Sequence, residues 1–193
     1  MKKYFLLPLF VGFLALSCTD NNIVEPVSTD ATSQSVSELK WLDLPQFASN
    51  RLMKVVSASK LITGSVGGKI DVECKIENSK AYPFLMKASL DVPPNAFDGS
   101  QTLLFTVILD DQTMTATFSP SPMTFKVPLS LDLEYSGIDL STIDQSRLNF
   151  AYLAGDGSIQ VASYQKLDVN TSILRIRVKS AKIEHFSRFG FVQ

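Results

Sequence analysis

The chain has 193 residues, with 18 Lys+Arg against 19 Asp+Glu and a formal net charge of −1. That balance supplies neither the basic patch that nucleic acid requires nor an acidic tail for a cationic partner. A single histidine excludes a metal site built on several imidazoles within one chain, and two cysteines allow at most one disulfide.

The N-terminus opens with Lys2 and Lys3, followed at residues 5–16 by the uncharged run Phe-Leu-Leu-Pro-Leu-Phe-Val-Gly-Phe-Leu-Ala-Leu. A run of this length is too short to cross a hydrocarbon core of about 30 Å as a helix. It fits the apolar region of a secretory signal peptide. The segment Leu14-Ala15-Leu16-Ser17-Cys18 resembles the lipobox of bacterial lipoproteins, although Ala15 stands where leucine is commoner. The resemblance implies a leader over 1–17, cleavage before Cys18, and lipid on that cysteine as the link to a membrane. Thr19, rather than Asp, follows the cysteine. By resemblance to enteric lipoproteins, that implies the outer membrane in an organism that has one. Residues 18–38 are rich in Ser, Thr, Asp and Asn and poor in apolar bulk. They cannot bury enough surface to offset their ordering entropy, so they are expected to form a flexible tether.

Residues 39–193 suit a single domain. Trp41, in Trp41-Leu42-Asp43-Leu44-Pro45, is expected to cap the core edge. The run Gly64-Ser65-Val66-Gly67-Gly68-Lys69 lacks the first glycine and the final Ser/Thr of a phosphate-binding loop, so it reads as a turn into a strand. No cofactor is implied. Period-two alternation then predicts strands over 68–76, 85–92, 102–109, 114–118, 125–135, 148–153 and 159–164. Leu174, Ile176 and Val178 alternate with Arg175, Arg177 and Lys179 in a further strand with one wet face. Within the first of these, Cys74 shares a face with Ile70, Val72 and Ile76 and is expected to be a buried structural thiol. Pro128 points to an edge or a bulge. Residues 139–147 could hold a helical turn. Short strands at this spacing predict an all-β fold, an antiparallel β-sandwich.

Few residues offer chemistry. Asp110 and Asp111 lie near a strand end and Asp156 lies in a turn, without the oxygen cluster that calcium needs. No metal site is expected. His185 is the only histidine and stands in His185-Phe186-Ser187. In a regular strand Ile183, His185, Ser187, Phe189 and Phe191 would share one face, with His185 and Ser187 about 6.5–7 Å apart at Cα. In a tight turn His185 could serve as base for Ser187, which would attack the Phe186 carbonyl.

The order of several pieces resembles the ZU5 domain, a β-sandwich of ankyrins, UNC5-type netrin receptors and PIDD. The pieces are Thr63-Gly64 to Gly67-Gly68-Lys69, Leu90-Asp91-Val92-Pro93-Pro94-Asn95-Ala96-Phe97, Phe118-Ser119-Pro120, Phe125-Lys126-Val127-Pro128-Leu129, Tyr152 to Asp156-Gly157, and His185-Phe186-Ser187-Arg188-Phe189. They span about 59–189. Some relatives cleave themselves between Phe and Ser of this tripeptide, so the resemblance implies catalytic roles for His185, Phe186 and Ser187. Ankyrin-type members instead bind or pack without depending on cleavage, and only six residues follow Ser187 here. Three readings therefore stand. The first is a lipid-anchored envelope module that binds a protein partner or has a structural role. The second is a self-cleaving module. The third is a carbohydrate-binding accessory of an uptake system, with Trp41, Tyr82, Tyr135, Tyr152 and Tyr164 as the stacking residues available.

Overall fold

The computed structural model describes residues 39–44, 55–76, 83–110 and 112–193. All of these belong to one compact unit, Ser37–Gln193. The leader over 1–17, Cys18 and the tether lie outside the described residues, as do Tyr82 and Asp111.

The strands are, in chain order, β1 (Val56–Thr63), β2 (Gly68–Ile76), β3 (Phe84–Val92), β4 (Thr102–Leu109), β5 (Thr115–Ser119), β6 (Thr124–Ser136), β7 (Asn149–Leu153), β8 (Ile159–Val161), β9 (Lys166–Asn170), β10 (Arg175–His185) and β11 (Arg188–Val192). They form two antiparallel sheets. One has the order β1-β4-β5-β11-β7-β8 and the other β2-β3-β6-β10-β9. The inner faces supply the core. In β2, Ile70, Val72 and Cys74 are buried while Asp71, Glu73 and Lys75 are exposed. That is the alternation expected when one face of a sheet meets water. Cys74 is a free, buried thiol. The fold is thus all-β, with two antiparallel sheets packed together.

Two strands carry no clear sequence signal. β1 buries only Ile62 and is otherwise Ser, Ala, Lys and half-exposed apolars, as befits an edge. β9 is the short opposite edge of the other sheet. Lys60 of β1 donates to the Lys69 carbonyl at 3.1 Å, so a lysine tethers this edge to β2. Lysine on an edge strand also discourages pairing with another chain.

Pro128 sits where β6 runs past β3, whose pairing ends at Ser130. The register against β10 also shifts there, from Ile183↔Leu129 to His185↔Thr124. A bulge at that point tolerates the missing N–H. Residues 139–147 form turns rather than a helix. Asp139 accepts the Ser141 N–H at 2.9 Å, and Asp144 accepts the Ser146 N–H at 3.0 Å. Such side-chain bonds compete with helical ones.

Residues 40–44 run as a short extended segment between the end of β11 and the residues leading into β5. Leu42 N donates to Phe191 O at 2.8 Å and Met114 N to Leu42 O at 2.9 Å. Lys40 and Gln193 exchange both backbone bonds at 3.1 Å. Leu42 and Leu44 are buried.

Candidate functional site

The turn after β1 and the turn after β3 interlock at one end of the sandwich. Gly64 O accepts the Asn95 N–H at 2.7 Å. A Cβ on Gly64 would lie 2.1 Å from the Asp98 carbonyl oxygen, and one on Gly67 would lie 2.2 Å from that of Val92. Gly67 also has φ +69, a backbone region costly for other residues. Ala96 is fully buried, and its carbonyl accepts the Lys126 N–H at 2.7 Å. Pieces far apart in sequence thus meet because backbone approaches backbone more closely than a side chain allows.

Phe186 is at the centre of the same corner. Its ring centroid lies 4.8 Å from Phe125, 5.0 Å from Phe105 and 5.4 Å from Phe118. Phe97 joins through Phe105 at 5.3 Å, and Phe189 through Phe118 at 5.9 Å. Stacked, tilted and edge-on pairs of this kind add about 0.5–1.5 kcal/mol each beyond area burial.

The backbone here does not continue as one strand. β10 ends at His185 in the five-stranded sheet, and β11 begins at Arg188 in the six-stranded sheet. Phe186 and Ser187 make the crossing. The expected common face of Ile183, His185, Ser187, Phe189 and Phe191 is therefore broken. Changing sheets requires the backbone to turn, and burial of the Phe186 ring fixes that turn. Phe186 N donates to Met123 O at 2.7 Å, and the Ser121 hydroxyl donates to Phe186 O at 3.1 Å.

The structure gives the three tripeptide side chains different surroundings. Phe186 is buried, whereas the His185 ring packs against Tyr152 at 5.0 Å and Phe189 at 6.0 Å. It lines a depression of about 200 Å³ with Ser163, Lys182 and Glu184. The Ser187 hydroxyl donates to the Leu153 carbonyl at the end of β7, so its proton goes there and not to His185. Attack on Phe186 would require Ser187 to leave Leu153. The Phe186 carbonyl already has one hydroxyl donor that could support a developing oxyanion. Ser121 was not legible as a site residue, because Ser119-Pro120-Ser121-Pro122 reads only as a turn.

The other candidates have structural explanations. Asp156 accepts the Ser158 hydroxyl at 2.7 Å and its N–H at 2.9 Å, and these bonds lower its pKa in the order given. Asp98 is lowered by the Ser100 N–H and then by the Ser100 hydroxyl. Asp110 accepts the Gln112 N–H at 2.8 Å. Tyr135 is fully buried with its hydroxyl donating to Thr115 O at 3.2 Å, so it is no stacking surface. Tyr164 donates to Asn149 at 2.8 Å.

The outer face of the five-stranded sheet bears a depression of about 650 Å³ lined by Lys69, Asp71, Lys87, Asp132, Glu134 and Arg177 among others. Its charges are paired: Lys87–Glu73 at 3.1 Å, Arg177–Asp132 at 3.1 Å and Lys69–Asp71 at 3.7 Å. Such a ladder is a solvated face whose pairs contribute about 0–1 kcal/mol each. Among the described residues, no group of three or more His, Cys, Asp or Glu side chains could hold a metal ion. No helix among them is long and apolar enough to cross a membrane.

No protein-family model, curated protein or solved structure matches this chain.

Proposed function

We propose that this chain is a lipoprotein of the cell envelope, lipidated on Cys18, whose folded part is a ZU5-like sandwich serving as a binding or structural module. The observation that carries the reading is the leader pattern: Lys2 and Lys3, the apolar run 5–16, and Ser17 before Cys18, followed by a polar segment to residue 38. In a cell with two membranes, Thr19 after the cysteine favours the outer one. Acyl chains contribute about 0.8 kcal/mol per buried CH₂, and more than one chain makes such an anchor lasting. The ZU5-like part of the reading is supported by the way its motif pieces meet around Phe186. Cells fed an alkyne fatty acid should yield a labelled protein in the membrane fraction with Cys18 as its first residue. Cys18→Ser should lose the label. An unlabelled wild-type protein, or a mature N-terminus elsewhere, would overturn the proposal.

A second reading is favoured by the sheet crossing and by the Ser121 hydroxyl on the Phe186 carbonyl. In it, Ser187 Oγ attacks the Phe186 carbonyl carbon while His185 takes the hydroxyl proton. His185 returns that proton to the Ser187 nitrogen as the Phe186–Ser187 C–N bond breaks, the nitrogen leaves as the free amine of Ser187, and water then hydrolyses the resulting ester to the Phe186 carboxylate and the Ser187 hydroxyl. The peptide 187–193 would remain in place, because β11 pairs with β5 on one side and β7 on the other. Intact mass under denaturing conditions decides this. Two fragments from wild type and one intact chain from Ser187→Ala are the expected pair. A single uncut wild-type mass eliminates the reading.

A further inference from the structure

We infer that the depression around Trp41 binds an acidic sugar chain, one carrying carboxylate or phosphate groups. The inference takes from the proposal above only the envelope setting in which such a ligand is met. The depression measures about 530 Å³ and is lined by Lys40, Trp41, Asp43, Thr142, Arg147 and Gln193. Its floor is firm. Leu42 and Leu44 are buried, and the segment's backbone is bonded to Phe191, Met114 and Gln112, so Trp41 and Asp43 fall on the outward phase.

The side chains there remain available. Among the described residues, no hydrogen bond or ion pair occupies the side chains of Lys40, Trp41 or Asp43. Asp144, the carboxylate beside Arg147, accepts the Ser146 hydroxyl at 2.6 Å and the Ser146 N–H at 3.0 Å on one oxygen, and the Arg147 charge adds to those bonds in lowering its pKa, although the two side chains form no ion pair. Gln193 spends its side-chain oxygen on the Asp144 N–H at 3.1 Å, which leaves its NH₂ group uncommitted. This contrasts with the five-stranded face, where the lining cations have carboxylate partners.

The chemistry suits a sugar. A half-buried indole offers a flat apolar surface to ring C–H groups and an N–H to a hydroxyl. Asp43, Thr142 and Gln193 suit hydroxyls, and the cations Lys40 and Arg147 suit an anionic substituent. A membrane surface fits less well. The site is concave, whereas a membrane presents a broad flat surface.

Trp41 is the chain's only tryptophan, so its emission reports on this site alone. The full chain, held in neutral detergent micelles, is titrated with oligogalacturonate, with a phosphorylated oligomannose and with a neutral oligoglucose. A saturable emission shift with at least one acidic sugar is expected, and the two acidic arms separate carboxylate from phosphate recognition. Lys40→Ala and Arg147→Ala should each weaken it about tenfold, while Lys87→Ala on the opposite sheet leaves it unchanged. Silence with both acidic sugars, or an equal response to the neutral one, would overturn the inference. A shift produced instead by doping the micelles with phosphatidylglycerol would assign the site to lipid headgroups and also overturn it. The readout does not use the lipid label, so failure here and failure of the lipoprotein proposal are separate results.

Discussion

Phe186→Ala is expected to destabilise the folded unit by about 3–5 kcal/mol, the range for emptying a fully packed aromatic site. Phe186 is only 2% exposed, and its ring is in contact with Phe105, Phe118 and Phe125. These rings come from β4, β5 and β6, so the cavity would open between both sheets. Collapse to fill it is opposed by the hydrogen bonds that fix the Phe186 backbone, its N–H to the Met123 carbonyl and its carbonyl from the Ser121 hydroxyl. Denaturant unfolding of wild type and variant, followed by circular dichroism, would read the loss as a lower midpoint at similar slope. Phe186→Leu, which keeps most of the apolar volume, should lose about half as much or less. If Phe186→Ala cost under about 1 kcal/mol, Phe186 would not be the centre of the corner.

The second large effect falls on a residue with no side chain. Gly67→Ala should cost about 3 kcal/mol or more. An alanine there must hold φ near +69 and place its Cβ 2.2 Å from the Val92 carbonyl oxygen. The left-handed backbone alone accounts for about 1–2 kcal/mol. The clash is with backbone that begins the Pro93-Pro94 turn, so relief requires the two interlocked turns to part. Gly155→Ala is the matched control, because nothing lies within 4 Å of a Cβ there. It should change stability by no more than about 0.5 kcal/mol. Equal melting temperatures for the two variants would refute the interlocked corner.

The shared physical cause of these effects was only partly visible in the sequence. The order Gly64, Gly67, Pro93-Pro94-Asn95-Ala96 and Phe125 to Leu129 could be noted as a pattern. That Gly64 must be small because Asp98 lies over it depends on which turns meet. Similarly, Ser121 became a partner of Phe186 through a contact spanning 65 residues. No local pattern encodes such a pairing. Trp41 is half-buried next to buried Leu42, as a cap on the core edge would be, but that it also lines a depression with Thr142, Arg147 and Gln193 depends on contacts no local pattern shows.

What the sequence determined by itself was the all-β class, the positions of most strands and the face each presents to the core. Period-two alternation is a local property, since a half-buried strand must carry apolar residues on one side whatever it packs against. That suffices for Ile70, Val72 and Cys74 in β2, all buried as their phase requires. The tertiary structure decided which sheet each strand joins and where the chain changes sheets. Those choices follow from the pairing of residues distant in sequence and from the filling of one shared core. The edges β1 and β9 escaped the sequence reading because these two strands bury little and so leave little pattern, unlike the edge strand β2. The crossing at Phe186–Ser187 escaped it because the alternation of Ile183, His185, Ser187, Phe189 and Phe191 looks the same whether the strand continues or turns. Only the aromatic corner that encloses Phe186 distinguishes the two.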